Sequence, residues 1–402
     1  MKDKTANATL LHKRRSLQMA LASASALLLP RHLLAQESPA APPKGQVLKV
    51  GPLRELRSLA AASKAAKDGD MLEVDAGDYL GDVAAWPQNN LRLKAVGGRV
   101  RMLAQGAASQ GKGIFVTTGR GISIEGFDFI GAQVPDQNGA GIRLEAGSLS
   151  LRDCTFKDNE NGVLTSNDEK VRLEIEDCEF GTIVRRNGKN HNLYVGAIAY
   201  LRVVGSYFHH GQSGHLLKSR AAVNHIFYNR LTDELGGRAS YELEFPNGGL
   251  ALVVGNVIQQ SAGTENPHII AFGSEGYGPG RHELHLINNT VVDQRPSGGV
   301  YLRVNPGAVK VRLINNLWVG NPQIPANPEW EQAGNFLVDL DTFVLPMRDN
   351  YLLKPGAKIR GKAVDPGEVD GLKLRPTEQF LHPRGTLKLK AVAMNPGAFQ
   401  FP

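Results

Sequence analysis

A short motif of alternating apolar residues recurs about every 25 residues through most of the chain. Successive copies are separated by 27, 24, 28, 23, 27, 33 and 27 residues. They begin at Phe127, Cys154, Cys178, Ser206, Asn229, Asn256, Asn289 and Asn316. The short alternating runs between copies are joined by Gly, Asn and Asp, which favour turns. The repeat therefore predicts an all-β chain in which each copy is one coil of a parallel β-helix.

The predicted solenoid spans residues 47–320 with its N-terminal cap and has about nine or ten coils. The coils should be right-handed, because crossovers between parallel strands almost always are. Apolar residues at helical spacing within 53–68 predict a helix that caps the first coil, whose strand edges would otherwise be open. Residues 321–402 lose the repeat and gain Pro, which predicts an irregular C-terminal cap packed on the solenoid.

The first 35 residues are typical of an export signal. A basic cluster at 13–15 precedes an apolar stretch from Leu17 to Leu29. The residues at 14–17 resemble a twin-arginine signal, and a general secretory signal is the alternative. The stretch is short and is followed by Pro30 and Arg31, so we expect no membrane span. After cleavage, residues 36–46 would be a flexible linker, and the protein would be periplasmic or secreted.

The net charge of +7 comes mostly from the signal, which holds six basic residues and one acidic residue. The remaining chain is nearly neutral, so its overall charge does not indicate nucleic-acid binding. Locally, residues 185–238 hold eight basic and two acidic side chains together with five His. This basic belt predicts an anionic ligand.

The two cysteines, Cys154 and Cys178, occupy the same position in consecutive copies of the repeat. This placement predicts a small inward-facing stack. A disulfide is the alternative, since an exported protein reaches an oxidising compartment.

Three consecutive strands of the basic belt concentrate polar residues, and aligning His191 with His215 sets their register. The alignment forms three columns: Leu193, Leu217 and Leu243 inward, Tyr194, Lys218 and Glu244 on the outer face, and Asn192, Leu216 and Glu242 as a neighbouring outward column. Strict alternation would turn both His inward, so they reach the outer face only from the turn before each strand. A register slip of one residue would reverse these assignments.

This cluster suits cleavage of a uronic-acid polymer by β-elimination, which needs a cation at the carboxylate, a base and an acid. Lys218 or a neutral His is the candidate base, Arg220 would hold the carboxylate, and Tyr194 or His215 is the candidate acid. Further candidates for substrate binding are His191, Asn192, Glu242, Glu244, Arg238, Asn247 and His268. The long loop 273–282, with Glu275 and Tyr277, would border the groove.

Three segments resemble parts of the right-handed β-helix, or pectate-lyase-like, superfamily. The segment from Lys67 to Tyr79 resembles the entry into its first coil. The segments from Asn350 to Gly356 and from Asn395 to Phe399 resemble its C-terminal closing segments. The pair Lys218-Ser219 also resembles alginate lyases and chondroitinase B type lyases, in which a Lys-Ser strand supplies the base and an Arg in the next coil the acid. Here Glu244 stands where that Arg would fall. The resemblance implies a polysaccharide lyase.

Several alternatives stay open at this point. The same groups could epimerise a uronate by returning the proton to the other face of the ring. Glu242 and Glu244 could be the acid pair of a glycoside hydrolase. The chain could also be a non-catalytic carbohydrate-binding envelope protein, although only 6% of its residues are aromatic. We expect an acidic polysaccharide as partner, a monomer, and no cofactor, with a divalent metal such as calcium as the alternative.

Overall fold

The computed structural model describes residues 45–184, 190–264 and 266–400. The predicted export signal and nearly all of the linker lie outside these residues. Within the described part, no helix is long and apolar enough to cross a membrane.

Most coils contribute one strand to a ten-stranded sheet, which we call the front sheet, and two strands to a 21-stranded sheet, the back sheet; both counts refer to the described residues. The front strands are Ala84–Trp86, Gly113–Thr117, Ala140–Leu144, Asn161–Thr165, Leu193–Val195, His215–Ser219, Tyr241–Phe245, His268–Phe272, Gly299–Val304 and Pro322–Gln323. Each front strand pairs in parallel with the equivalent strand of the next coil.

The back sheet begins with three single strands, and the described residues continue it as nine pairs of strands. The first three are Val47–Val50, Met71–Leu80 and Arg92–Leu103. The pairs are Ile122–Glu125 with Phe127–Ile130, Ser148–Arg152 with Thr155–Lys157, Arg172–Glu176 with Glu179–Phe180, Tyr200–Val204 with Tyr207–Phe208, Val223–Phe227 with Arg230–Thr232, Leu250–Val254 with Val257–Gln260, Glu283–Ile287 with Thr290–Asp293, Lys310–Ile314 with Leu317–Val319, and Glu331–Ala333 with Phe336–Val338. The prediction of an all-β parallel β-helix of about nine or ten coils is confirmed.

The N-terminal end is capped by an α-helix at Leu59–Ala65, shorter than the predicted 53–68. Ser58 ends the preceding irregular segment, and its hydroxyl accepts a hydrogen bond from the backbone of Ala61 at 3.0 Å. Leu59 and Ala62 pack into the core, whereas Leu53 is almost fully exposed. The capping helix is therefore present, but its first predicted turn is not part of it.

Parallel pairing extends to residue 338, whereas the sequence analysis ended the coils near 320. The remaining residues form three antiparallel hairpins: Phe343–Leu345 with Asn350–Leu353, Glu368–Val369 with Leu372–Lys373, and Glu378–Phe380 with Thr386–Lys388. Two short 3-10 helices at Leu340–Thr342 and Pro346–Arg348 lie among them. Phe343 and Tyr351 are buried with apolar residues of the last coils, so this cap packs on the solenoid.

A ladder of side chains lies at the turn between the two back strands of successive coils. It runs through Cys154, Cys178, Ser206, Asn229, Asn256, Asn289, Asn316 and Asn335. At each Asn step the side-chain oxygen accepts the backbone N–H of the preceding ladder residue, and the side-chain amide donates to a backbone carbonyl. The ladder satisfies polar backbone groups that the turns would otherwise bury without partners.

Both cysteines are free and fully buried within this ladder. The backbone N–H of Cys154 faces the Cys178 sulfur at 3.4 Å, so the thiol takes the place that an Asn oxygen takes elsewhere. The predicted inward stack is confirmed, and the alternative of a disulfide is not realised.

We expect Asn256→Ala to lower the free energy of unfolding by roughly 3 kcal/mol, because it leaves several buried polar groups without partners at 1–3 kcal/mol each. The affected groups include the N–H of Asn229 and the carbonyl of Ile226. Urea unfolding followed by circular dichroism measures the loss. Asn350→Ala, at an exposed site with a single side-chain bond, is the control. Equal losses in the two variants would contradict a special role for the ladder.

Candidate active site

The three polar strands stack in the register that the sequence predicted. Leu193 pairs with Leu217 and Leu217 with Leu243, and all three side chains are fully buried. In the adjacent positions Tyr194 pairs with Lys218, and Lys218 pairs with Glu244. The predicted outward column of Tyr194, Lys218 and Glu244 is therefore confirmed.

The two histidines do not follow the strict alternation that would turn them into the core. His215 Nε2 lies 3.0 Å from Glu244 Oε2, and the His191 ring lies 4.8 Å from the ring of Tyr194. Both imidazoles therefore lie beside the outward column. His191 precedes the first residue of its strand and His215 is the first residue of its own, so the turn before each strand sets their direction.

These histidines belong to a row of four rings that crosses the front sheet. The centroid distances are 4.7 Å from His191 to His215, 5.0 Å from His215 to Tyr241, and 5.9 Å from Tyr241 to His268. Tyr241 was not among the predicted site residues. Its position opposite His215 in the next coil was the signal that could have identified it.

Four charged side chains and one phenol form a continuous network in front of this row. Lys218 Nζ lies 3.2 Å from Glu244 Oε2 and 2.7 Å from Glu275 Oε1. Arg220 Nη2 lies 2.5 Å from Glu275 Oε2, and its Nη1 donates to the Tyr194 hydroxyl oxygen at 3.1 Å. Lys218 and Arg220 thus meet at a single carboxylate, that of Glu275.

Glu244 is the most strongly held carboxylate of the network. Burial raises its pKa, but hydrogen bonds from His215 and Ser274 and the charge of Lys218 outweigh burial and lower the pKa to about 2. The Ser274 hydroxyl donates to Glu244 Oε1 at 2.5 Å. Glu244 is therefore a permanent anion that positions His215 and Lys218.

His191 is held in its neutral form. Burial lowers its pKa well below the usual value, and the charges of His215, Lys218 and Arg220 lower it further. The backbone N–H of His215 donates to His191 Nδ1 at 2.9 Å, so this nitrogen carries no proton. Burial also lowers the pKa of His215, although its bond to Glu244 acts in the opposite direction.

The loop 273–282 lies against the network, through Ser274 and Glu275. Its segment Ser274–Glu275 contacts the network and lies between Gly273 and Gly276, both of which have positive φ. Asn247 holds this loop through its side-chain amide, which donates to the carbonyl of Gly276 at 3.0 Å. Asn247, predicted to bind substrate, thus positions a loop of the site.

The predicted neighbouring outward column is wrong, because its three residues are fully buried and Leu216 packs in the apolar core: Asn192, Leu216 and Glu242. The Asn192 amide donates to the carbonyls of Phe180 and Gly181 at 2.9 and 2.7 Å, so it secures a turn. Burial raises the pKa of Glu242 well above its usual value, and nearby Asp233 raises it further. Neither Asn192 nor Glu242 reaches the groove.

Two other predicted residues lie at the edges of the site. Arg238 is exposed in the turn before the Tyr241–Phe245 strand. His268 is half-buried at the end of the ring row, with Nδ1 at 2.7 Å from Asn266 Oδ1. In the described residues, no group of three or more His, Cys, Asp or Glu is arranged to hold a metal ion. The expectation about cofactors stays a prediction.

Solved structures share this architecture. Pectate lyase Pel9A aligns with a TM-score of 0.58 and 12% identity, over 89% of this chain and 96% of that one. The chain has the pectate-lyase-like parallel β-helix fold. A pectin methylesterase from Aspergillus niger (TM-score 0.31, 11% identity, 81% and 93% coverage) and the family PL6 alginate lyase AlyGC (0.33, 15%, 82% and 57%) align too loosely to support an argument. No family model and no curated protein matches this chain. The similarity to Pel9A shows the fold alone.

The neutral, buried state of His191 predicts a loss of stability at mildly acidic pH. The unfolded chain takes up a proton below about pH 6.5 and the folded site does not, so unfolding is favoured by up to about 1.4 kcal/mol per pH unit below that value. We expect His191→Gln to flatten the dependence of unfolding free energy on pH between 7 and 5, measured by urea titration. His225→Gln, at a less buried His, should flatten it less. Equal slopes for wild type and His191→Gln would contradict this reading.

Proposed function

We propose that the protein is a lyase that cleaves an acidic, uronate-containing polysaccharide by β-elimination. The observation that carries the proposal is that Lys218 and Arg220 converge on one carboxylate in the groove, at 2.7 and 2.5 Å. Two cations at a carboxylate stabilise the charge that this group gains when the neighbouring carbon loses its proton. The fold of a pectate lyase supports the choice of a polymeric substrate.

In the proposed reaction a base removes the proton from the carbon next to the carboxylate. The electron pair forms a carbon–carbon double bond to the adjacent carbon, and the bond from that carbon to the glycosidic oxygen breaks. The departing oxygen takes a proton and becomes a hydroxyl. The products are one chain with a new hydroxyl and one with an unsaturated sugar at its end.

Tyr194 is the proposed proton-transfer group. Its hydroxyl oxygen lies 3.1 Å from Arg220 Nη1, and the guanidinium can stabilise negative charge on that oxygen. A phenolate at this position would take the proton next to the carboxylate, and the resulting phenol would return it to the departing oxygen. The His191 ring packs against Tyr194 and limits its movement.

Lys218 fits the role of a carboxylate-binding cation better than that of a base. It is nine-tenths buried, and its Nζ lies 3.2 Å from a carboxylate oxygen of Glu244 and 2.7 Å from one of Glu275, so its contacts in this structure are those of an anion-binding cation. His215 and Glu244 are proposed as positioning residues, since Glu244 contacts both His215 and Lys218. Arg220 binds the carboxylate beside Lys218.

The other functions considered from the sequence have weaker support. A hydrolase pair of Glu242 and Glu244 has no basis here, because Glu242 is fully buried. An epimerase would use the same proton abstraction and needs a donor on the opposite ring face. A binding protein would use the row of rings without cleaving its ligand. Export to the periplasm or medium and a monomeric state are part of the proposal, and export depends on residues 1–35.

We expect Tyr194→Phe to lower kcat at least about 100-fold on a uronate polymer, because it removes only the proton-transfer oxygen. The assay follows the ultraviolet absorbance of the unsaturated sugar with purified mature protein. Tyr200→Phe is the matched control, since Tyr200 lies on the back sheet and bonds His225. Full activity in Tyr194→Phe would reject this role. New sugar composition without cleavage would identify an epimerase, and binding without any reaction a binding protein.

Lys218→Ala and Lys218→Arg separate the two roles considered for this residue. A carboxylate-binding cation predicts that Lys218→Ala loses activity, with a raised KM, and that Lys218→Arg retains a measurable part of it. A base predicts that both variants are equally inactive, because an Arg side chain keeps its proton. Lys310→Ala, at an exposed site on the back sheet, is the control for loss of a surface charge.

A further inference from the structure

The Glu275 carboxylate occupies the point where a substrate carboxylate would bind. One of its oxygens contacts Lys218 Nζ and the other contacts Arg220 Nη2. The Glu275 side chain is 44% exposed, whereas those of Lys218 and Arg220 are 11% and 18% exposed. Glu275 therefore lies on the solvent side of the two cations, as an incoming anion would.

Glu275 reaches the two cations from a short segment between two glycines. Gly273 and Gly276 flank the pair Ser274–Glu275, which we call the latch, and both glycines adopt backbone conformations that L side chains rarely take. The rest of the loop is anchored separately, since the Tyr277 hydroxyl donates to the carbonyl of Asn305 at 2.7 Å. The Glu275 N–H also donates to the carbonyl of Pro246 at 3.0 Å, so the Glu275 side chain can leave the network while the backbone of the loop keeps its attachment.

We propose that Glu275 is an internal substitute for the substrate carboxylate, so that the site is closed until an anionic sugar displaces the latch. This inference rests on the proposed function and adds a means of selecting the ligand. The Glu275 carboxylate competes with every ligand for Lys218 and Arg220. It also keeps both cations paired when no ligand is present.

The exchange favours an anion because of the burial of the two cations. A uronate that replaces Glu275 restores a carboxylate to Lys218 and Arg220, so the number of ion pairs is conserved. A neutral sugar that displaces Glu275 would leave Lys218 with Glu244 as its carboxylate and would take from Arg220 the carboxylate that it contacts, and a cation that loses its partner in a partly buried site is costly. The latch therefore discriminates against neutral sugars through the charge they fail to replace.

An ordinary surface ion pair is the competing explanation for these contacts. Exposed pairs contribute little to stability. Here one carboxylate contacts two largely buried cations, and the adjoining Ser274 donates to Glu244 in the same network. Burial raises the pKa of Glu275, but Lys218 and Arg220 outweigh burial and lower it, so this carboxylate stays ionised.

The test compares ligand binding by Glu275→Gln and by the wild-type latch, both in the Tyr194→Phe background to prevent turnover. Calorimetry with oligomers of galacturonate, mannuronate, guluronate and glucuronate measures Kd, and carboxyl-reduced oligomers are the neutral ligands. We expect Glu275→Gln to bind the preferred uronate at least about tenfold more tightly, because the internal competitor is removed. We also expect Glu275→Gln to discriminate less against the neutral oligomer than the wild-type latch does. Glu329→Gln, at an exposed site far along the chain, should change neither value. Unchanged or weaker uronate binding by Glu275→Gln would overturn the inference.

A ligand-free measurement separates this inference from the proposed function. Hydrogen exchange at the amides of residues 273–278 should be faster in Glu275→Gln than in wild type, because the latch has lost its charge contacts. If no uronate binds to any variant, the proposed function fails. Faster exchange would then still support a latch held by charge, and unchanged exchange would overturn it.

Discussion

The hydrogen-bonded ladder at the back turns is the constraint on which the rest of the structure depends. Each Asn bonds a backbone N–H and a backbone carbonyl of the preceding coil, so adjacent coils cannot slip without leaving buried polar groups unpaired. The ladder therefore holds the coils between Cys154 and Asn335 in register, and with them the front strands of the site. Tyr194, Lys218 and Glu244 are 24 and 26 residues apart in sequence, and they meet because one coil separates each from the next.

This dependence explains which parts of the molecule the sequence predicted. The ladder and the inward Leu column carry a period, so the coil number, the register and the Tyr194–Lys218–Glu244 column followed from spacing alone. Glu275 has no such period, because it belongs to the loop that interrupts the repeat. The sequence placed that loop at the groove, but the contact of Glu275 with two cations could be seen only in three dimensions.

The errors at Asn192 and Glu242 have one physical cause. Alternation along a strand gives the direction of a side chain, and exposure also depends on what covers that face. The Asn192 amide meets the carbonyls of Phe180, before it in the chain, and of His209, after it. Leu216, at the equivalent position of the next strand, packs in the apolar core, so this column turns inward instead of continuing the alternation. The pairing register also leaves out Leu216 and Glu242 between their paired neighbours, so the alternation is interrupted at the start of these strands, where the turn enters them.

The two glutamates of one strand have pKa values shifted in opposite directions, because their neighbours differ. Glu242 and Glu244 are two residues apart, yet burial raises the pKa of Glu242 well above its usual value while cationic and hydroxyl partners lower that of Glu244 to about 2. The difference lies in the partners, since both side chains are buried. Burial together with the nearby Asp233 and Asp293 raises the pKa of Glu242, whereas Glu244 contacts His215 and Lys218. A rigid ladder can hold such partners in place. Because the coils are rigid, any opening of the site must come from a segment outside the repeat. Ser274 and Glu275 lie in such a segment.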